Sequence, residues 1–224
     1  MTDQPQNLPI SARIVAVQDD LVTIERVADA HGDKKPLMKN EVVYILPSRL
    51  ASGERQEWLK TEILRVNGER ADAQVYESTG GVGVGDPVVQ SGEMLSAELG
   101  PGLLGMVYDG LQNPLESLAI SYGTFLPRGV EIAALDEEKH WPFKPLMKEG
   151  DQVQAGDKLG TVAESHFEHA IMAPFDLHGS WTIDWIMQGS FSVTEGIAQL
   201  SRNGQTRQIQ LRQRWPIRQP VSRA

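Results

Sequence analysis

Between Ile10 and Tyr76 apolar residues recur on alternate positions in short runs cut by turn-forming pairs, as in ARIVAVQ, LVTIERV, EVVYILP and TEILRVNGERADAQVYE. A period of two puts one set of side chains on each face of an extended strand, whereas a helix needs a period near 3.6. The runs are also too short for helices and rich in β-branched residues, which suit a half-buried pleated surface. Asp19-Asp20 and Asn67-Gly68 fall between them and predict tight two-residue hairpins. Strands of roughly 5–8 residues with turns every 8–12 predict a small barrel of six strands over residues 8–92. Closure leaves few strand edges free to pair with another chain.

Glycines at 80, 81, 83, 85 and 92 follow these strands and invite a phosphate-loop reading. Their spacing fits neither G-x-x-x-x-G-K-[ST] nor G-x-G-x-x-G opening a helix, because Asp86-Pro87 stands where the helix would begin. A glycine-permitted turn before a strand at Val88-Val89-Gln90 accounts for the stretch.

The segment AELGPGLLGMVYDGLQNPLE, residues 97–116, mixes apolar residues with Gly100, Gly102, Gly105, Gly110, Pro101 and Pro114, and reads as a connector packed against something large. A second strand-rich unit runs from about Pro127 to Leu200, in which Gly150-Asp151 and Gly156-Asp157 each release the chain into a new strand. Thr194 to Ala198 reads as a helical turn, and GQTRQIQLRQRWPIRQP as a last strand ended by Pro216 and Pro220. The resulting division is a barrel at 8–92, a connector at 93–121, a second β unit at 122–200 and a return strand at 201–224. The fold class is all-β.

A formal charge of −9 argues against a phosphate backbone as partner, since nucleic-acid binding needs a basic footprint. The absence of cysteine removes disulfides, thiolate metal sites and a cysteine nucleophile, and fits a reducing compartment. No signal-peptide pattern opens the sequence, and no apolar run approaches the roughly 20 residues of a membrane span. Arg202, Arg207, Arg212, Arg214, Arg218 and Arg223 follow the last acid, Glu195, and read either as an interface or as ordinary strand-flanking charges.

Candidate chemistry is sparse. His166, Glu168 and His169 invite a metal, but a spacing of three converges on a helix face, and this segment is strand, turn, strand. The pair reads as a solvated hairpin tip. Asp136, Glu137, Glu138 and His140 form a polar run with no nucleophile beside it. Trp181 and Trp185, four apart on one strand, are expected on the same side, as core packing or as a docking surface. No residue of the chain is assigned a catalytic, cofactor-binding or metal-binding role.

With its Gly-Asp pairs, tight hairpin, Ala173-Pro174 and Gly179, the second unit resembles the flattened barrel-sandwich of biotinyl and lipoyl carriers. The modified lysine of that fold would fall at His166. No lysine follows Lys158, so a swinging-arm role is not supported.

The connector AELGPGLLGMVYDGLQNPLE, with ADAQVYESTGGVGVGDPV before it and RGVEIAALDEEKHWPFKP and QRWPIRQP after it, resembles the catalytic A subunits of V-type ATPases and archaeal-type ATP synthases from about Ser11 to Pro220. The resemblance implies an N-terminal barrel, a bulge (the non-homologous region, which separates A from B subunits) and a nucleotide-binding core that follows. It implies a parent that makes or hydrolyses ATP, with ATP or ADP and Mg as its ligands, coupled to H+ or Na+ transport. The implied partners are B subunits in an alternating six-membered ring and stalk subunits, on the cytoplasmic side and peripheral to the membrane. The P-loop, catalytic Glu and sensing Arg of that family have no counterpart in these residues, so the chain is expected to be a fragment that neither hydrolyses nor binds ATP alone. The other reading is a freestanding scaffold or carrier-like binding module. PSRLASGERQEWLK, residues 47–60, is longer than in typical relatives and predicts an extended barrel loop, and the closing VSRA lies outside the family pattern.

Overall fold

A computed structural model describes residues 8–28, 32–49, 57–123 and 128–220. The chain divides into two compact units, residues 1–95 with 124–130, and residues 96–123 with 131–224. Half of the loop expected at 47–60, residues 50–56, lies outside the described residues, as does VSRA.

The first unit is a closed antiparallel barrel. Its strands are β1 (Ile10–Gln18), β2 (Leu21–Arg26), β3 (Glu41–Ile45), β4 (Leu59–Asn67), β5 (Arg70–Val75) and β6 (Pro87–Met94), in the order β1-β2-β5-β4-β3-β6. The alternation read from the sequence is the alternation seen: Val22, Ile24, Ala71, Ala73 and Val75 point into the core, while Arg70, Asp72 and Gln74 point out. Asp19-Asp20 links Gln18 to its ladder partner Leu21, and Asp19 takes a φ of 53°. The second hairpin differs from expectation by one residue. Asn67 stays in the ladder opposite Arg70, so the two loop residues are Gly68 and Glu69, and only Gly68 has positive φ. Glycine in the first loop position is the primed-turn arrangement that follows strand twist.

The second unit holds two four-stranded sheets. One is ordered β11-β10-β8-β13 and comprises β8 (Trp141–Pro145), β10 (Lys158–Glu164), β11 (Phe167–Met172) and β13 (Gly189–Phe191). The other is ordered β15-β14-β12-β9, from β9 (Gln152–Val153), β12 (Trp181–Ile186), β14 (Gly196–Arg202) and β15 (Gln205–Gln210). Their inward residues, among them Phe143, Leu159, Val162, Ile183, Ile197 and Leu200, form one core. A separate two-stranded ribbon pairs β7 (Ser96–Leu99) with β16 (Gln213–Pro216).

The Gly-Asp pairs share one device. In Lys148–Asp151 and Gln154–Asp157 the fourth residue's N–H donates to the first residue's carbonyl, and the third residue is a glycine with φ of 85° and 81°. The aspartate carboxylate then accepts the first residue's N–H, at 2.9 Å for Asp151 and 2.7 Å for Asp157. Gly83–Asp86 repeats it in the barrel, with Gly85 at φ 94° and Asp86 accepting the Gly83 N–H at 2.8 Å. Positive φ at the third position needs glycine, and the side chain satisfies a donor the turn would leave bare. Each turn opens a strand, β9, β10 and β6 respectively.

Two expectations are corrected. Residues 196–198 are not helical: β14 begins at Gly196, because Ile197, Ala198 and Leu200 are required in the sandwich core. The connector contains a helix, α1 (Leu115–Tyr122), which starts after Pro114 and stops at Gly123 (φ 72°). Proline just before the first turn and glycine at the end are ordinary helix boundaries. Only Leu118 of this helix is buried, so it carries no amphipathic period for a sequence reading to find.

Candidate functional site

The glycine stretch does not form a phosphate cradle. Asp86, 2% exposed, places its own carboxylate on the Gly83 N–H and accepts the Ser48 hydroxyl at 2.5 Å. Arg128 reaches the Ser78 and Gly80 carbonyls at 3.0 and 2.5 Å. A turn whose amide is already taken by a carboxylate repels rather than receives an anion, so these residues do not fit ATP. The nearby Glu77 carboxyl is held above the usual carboxylate range by burial, a rise partly offset by the Gly129 N–H that donates to it at 2.8 Å.

His166 occupies the two-residue loop of the β10–β11 hairpin with Ser165, whose φ is 53°. Glu168 and His169 are neighbours on β11 and so face opposite ways. The His169 ring engages Glu164 instead, Nδ1 to Oε2 at 2.9 Å. Among the described residues no three His, Cys, Asp or Glu side chains come together as a metal site. The acidic run is occupied locally. Asp136 caps the Glu138 and Lys139 amides, Glu137 pairs with Arg212 at 2.6 Å, and His140 Nδ1 meets the Glu138 carbonyl.

The arginines after Glu195 are likewise engaged within the unit. Arg202 donates to the His178 carbonyl, Arg207 pairs with Asp176 and Arg212 bridges Glu98 and Glu137. Arg223 lies outside the described residues. Trp181 and Trp185 do not share a side. A bulge between Ile183 and Trp185 leaves Asp184 without a ladder partner, and the extra residue turns Trp185 to the opposite face. Trp181 is in the sandwich core with its indole N–H on the His178 carbonyl, while Trp185 is outside that core. Asp184 accepts Ser201 at 2.5 Å and Gln199 at 3.0 Å, and these bonds hold its carboxyl below the usual range.

The connector carries a network of polar bonds, which sequence reasoning missed. Asp109 accepts the Leu111 and Asn113 amides and the Asn113 side chain, and Asn113 accepts the Ile132 N–H at 2.9 Å. Gln112 brackets Glu98 from both sides of its peptide. The Tyr108 hydroxyl donates to the Ala134 carbonyl at 2.9 Å, and burial and the Glu164 charge raise its pKa. Glu164 Oε1 accepts the Gly102 N–H at 2.7 Å. The signal available was Glu164 itself, an acid placed two residues after Val162 on the inward face of β10.

Two family models match this architecture in order. Residues 26–92 match the ATP synthase alpha/beta family beta-barrel domain, and residues 132–218 match the ATP synthase alpha/beta subunit barrel-sandwich domain. The chain belongs to the ATP synthase alpha/beta family. Within it, the chain is similar to V-type ATP synthase alpha chains: 45% identical over 159 residues to that of Thermoanaerobacter sp. (strain X514), covering 70% of this chain and 27% of the relative. The Borreliella afzelii (strain PKo) protein is 42% identical over 212 residues, covering 94% of this chain and 34% of the relative. That of Acetivibrio thermocellus is 40% identical over 207 residues, covering 92% and 32%. The chain thus spans about a quarter to a third of the length of these relatives.

Proposed function

We propose that this chain is the N-terminal part of the catalytic A subunit of a V-type ATP synthase, supplying assembly surfaces to an enzyme whose nucleotide chemistry is done elsewhere. The parent makes or hydrolyses ATP coupled to H+ or Na+ transport, and binds ATP or ADP with Mg through a core beyond these residues. The barrel packs beside B-subunit barrels in an alternating ring, and the sandwich is the bulge that meets the stalk. The whole lies at the cytoplasmic face, peripheral to the membrane. Among the described residues no helix is long and apolar enough to cross a membrane, which is compatible with a peripheral sector.

One observation carries the reading. The two matched domains occur in family order, and the stretch that leaves the barrel, β7, pairs with the stretch that leaves the sandwich, β16, with Glu98 opposite Arg214. Entry and exit strands lying side by side are what an insertion into a larger domain requires. The 224 residues contain no Walker A sequence, which supports the reading that the polypeptide alone neither hydrolyses nor binds ATP.

Purification of the tagged protein from its own cells, with native mass spectrometry, tests the assembly. The expected result is a complex containing a V-type beta chain and stalk proteins. Recovery without a beta chain contradicts the proposal. Calorimetry with MgATP on the 224 residues is expected to show no binding, and micromolar binding overturns that part.

A further inference from the structure

Glu164 is a carboxylate in an apolar place. Its side chain is 6% exposed at the end of β10, where Val162 on the same face is fully buried. A buried carboxylate is costly unless its oxygens are met, and a hydrophobic side chain of similar size would serve packing better. Both oxygens are met: Oε2 by His169 on the neighbouring strand, and Oε1 by the Gly102 N–H, which lies 62 residues earlier in the chain.

The Gly102 turn lies between two fixed points. Before it, β7 is paired to β16. After it, the Tyr108 hydroxyl is bonded to Ala134. Among the described residues of the intervening stretch, Leu103 packs on the sandwich core, and the Gly102 N–H to Glu164 hydrogen bond joins the turn to the sandwich. Gly102 has φ of 105°, and a Cβ there would lie 3.3 Å from Trp141 Cζ2, so the turn needs glycine to bring its N–H so close. Outward from the turn stand Leu104, Met106 and Val107, with Leu104 58% and Val107 66% exposed.

We infer that Glu164, positioned by His169, is a latch that fixes the 100–106 turn to the barrel-sandwich, and that this contact can open while the sandwich stays folded. The sandwich core is completed by Leu159, Val162, Ile197 and Leu200 and does not need the carboxylate. The turn, by contrast, loses its polar tie and keeps the packing of Leu103 on the core. In the parent proposed above, displacement of the bulge is then handed to the connector through one hydrogen bond. That consequence rests on the proposed function.

Hydrogen exchange on the 224-residue chain tests the latch without reference to ring assembly, so its failure and the failure of the assembly reading are told apart. In Glu164→Gln, which can still accept the Gly102 N–H but without charge, the amides of Gly102 to Met106 are expected to exchange roughly tenfold faster, the difference between a charge-assisted and a neutral hydrogen bond. Amides of Ile197, Ala198 and Leu200 are expected to be unchanged. His169→Gln, which keeps the carboxylate, is expected to give a smaller rise at the same amides. Unchanged exchange at 102–106 in both variants overturns the latch, as does a rise of equal size in β14. If Glu164→Gln does not fold, the sandwich does need the carboxylate and the latch is overturned on that ground.

Discussion

Gly160 lies mid-strand in β10, where a Cβ would come within 2.4 Å of the Phe143 ring and 2.6 Å of the Lys144 carbonyl oxygen. Phe143 is 2% exposed and a carbonyl is backbone, so neither can yield cheaply. Gly160→Ala is expected to cost about 1–3 kcal/mol by overpacking, read by urea denaturation. Gly68→Ala meets open space and pays only for its φ of 64°, about 1 kcal/mol. Glu77 acts through charge. Burial raises its folded pKa, so the ionised form is disfavoured in the fold; stability is full below the unfolded value and declines as pH rises through the window up to the raised folded value. Glu77→Gln keeps an acceptor for the Gly129 N–H and removes the charge. Its melting temperature is expected to match or exceed the wild type at pH 7, with the gap closing toward pH ~4. A gap independent of pH contradicts this account.

At the scale of the element, β12 turns on its bulge. Trp181 precedes the extra residue and fills the core, so Trp181→Ala is expected to destabilise by about 3–5 kcal/mol, and Trp185→Ala, after the bulge and outside the core, by less than about 1.5 kcal/mol. Equal losses would mean that both indoles pack inward. Asp184, the bulged residue itself, has a folded pKa depressed by Ser201 and Gln199. A depressed acid contributes above its unfolded value and loses that contribution as pH falls through the folded one. Asp184→Ala is therefore expected to lower the melting temperature at pH 7, by an amount that shrinks in strong acid. None of this could be read from SWTIDWIM, because an inserted residue leaves no mark on composition and shifts every later side chain to the other face.

At the scale of the molecule, the alternation and the Gly-Asp pairs made the barrel and the strand-rich second unit legible, since both follow from local backbone preferences. What stayed hidden depends on distant contacts. Gly102 meets Glu164, Asn113 meets Ile132 and Arg212 meets Glu98, partners 62, 19 and 114 residues apart by sequence number. These bonds make residues 96–123 part of the same compact unit as the sandwich, where composition alone suggested a separate connector. The candidate site was legible in the negative sense that the glycine stretch lacks P-loop spacing, and the Asp86 carboxylate supplies the physical reason the stretch folds as a turn.

The measurement that bears most directly on the central claim is the coding sequence downstream of the Ala224 codon in the source genome. The account predicts an open frame that reaches a G-x-x-x-x-G-K-[ST] loop within roughly 40 residues. A stop codon in that interval contradicts it, and makes the barrel and the sandwich a stand-alone binding module with no ATPase core in the same polypeptide.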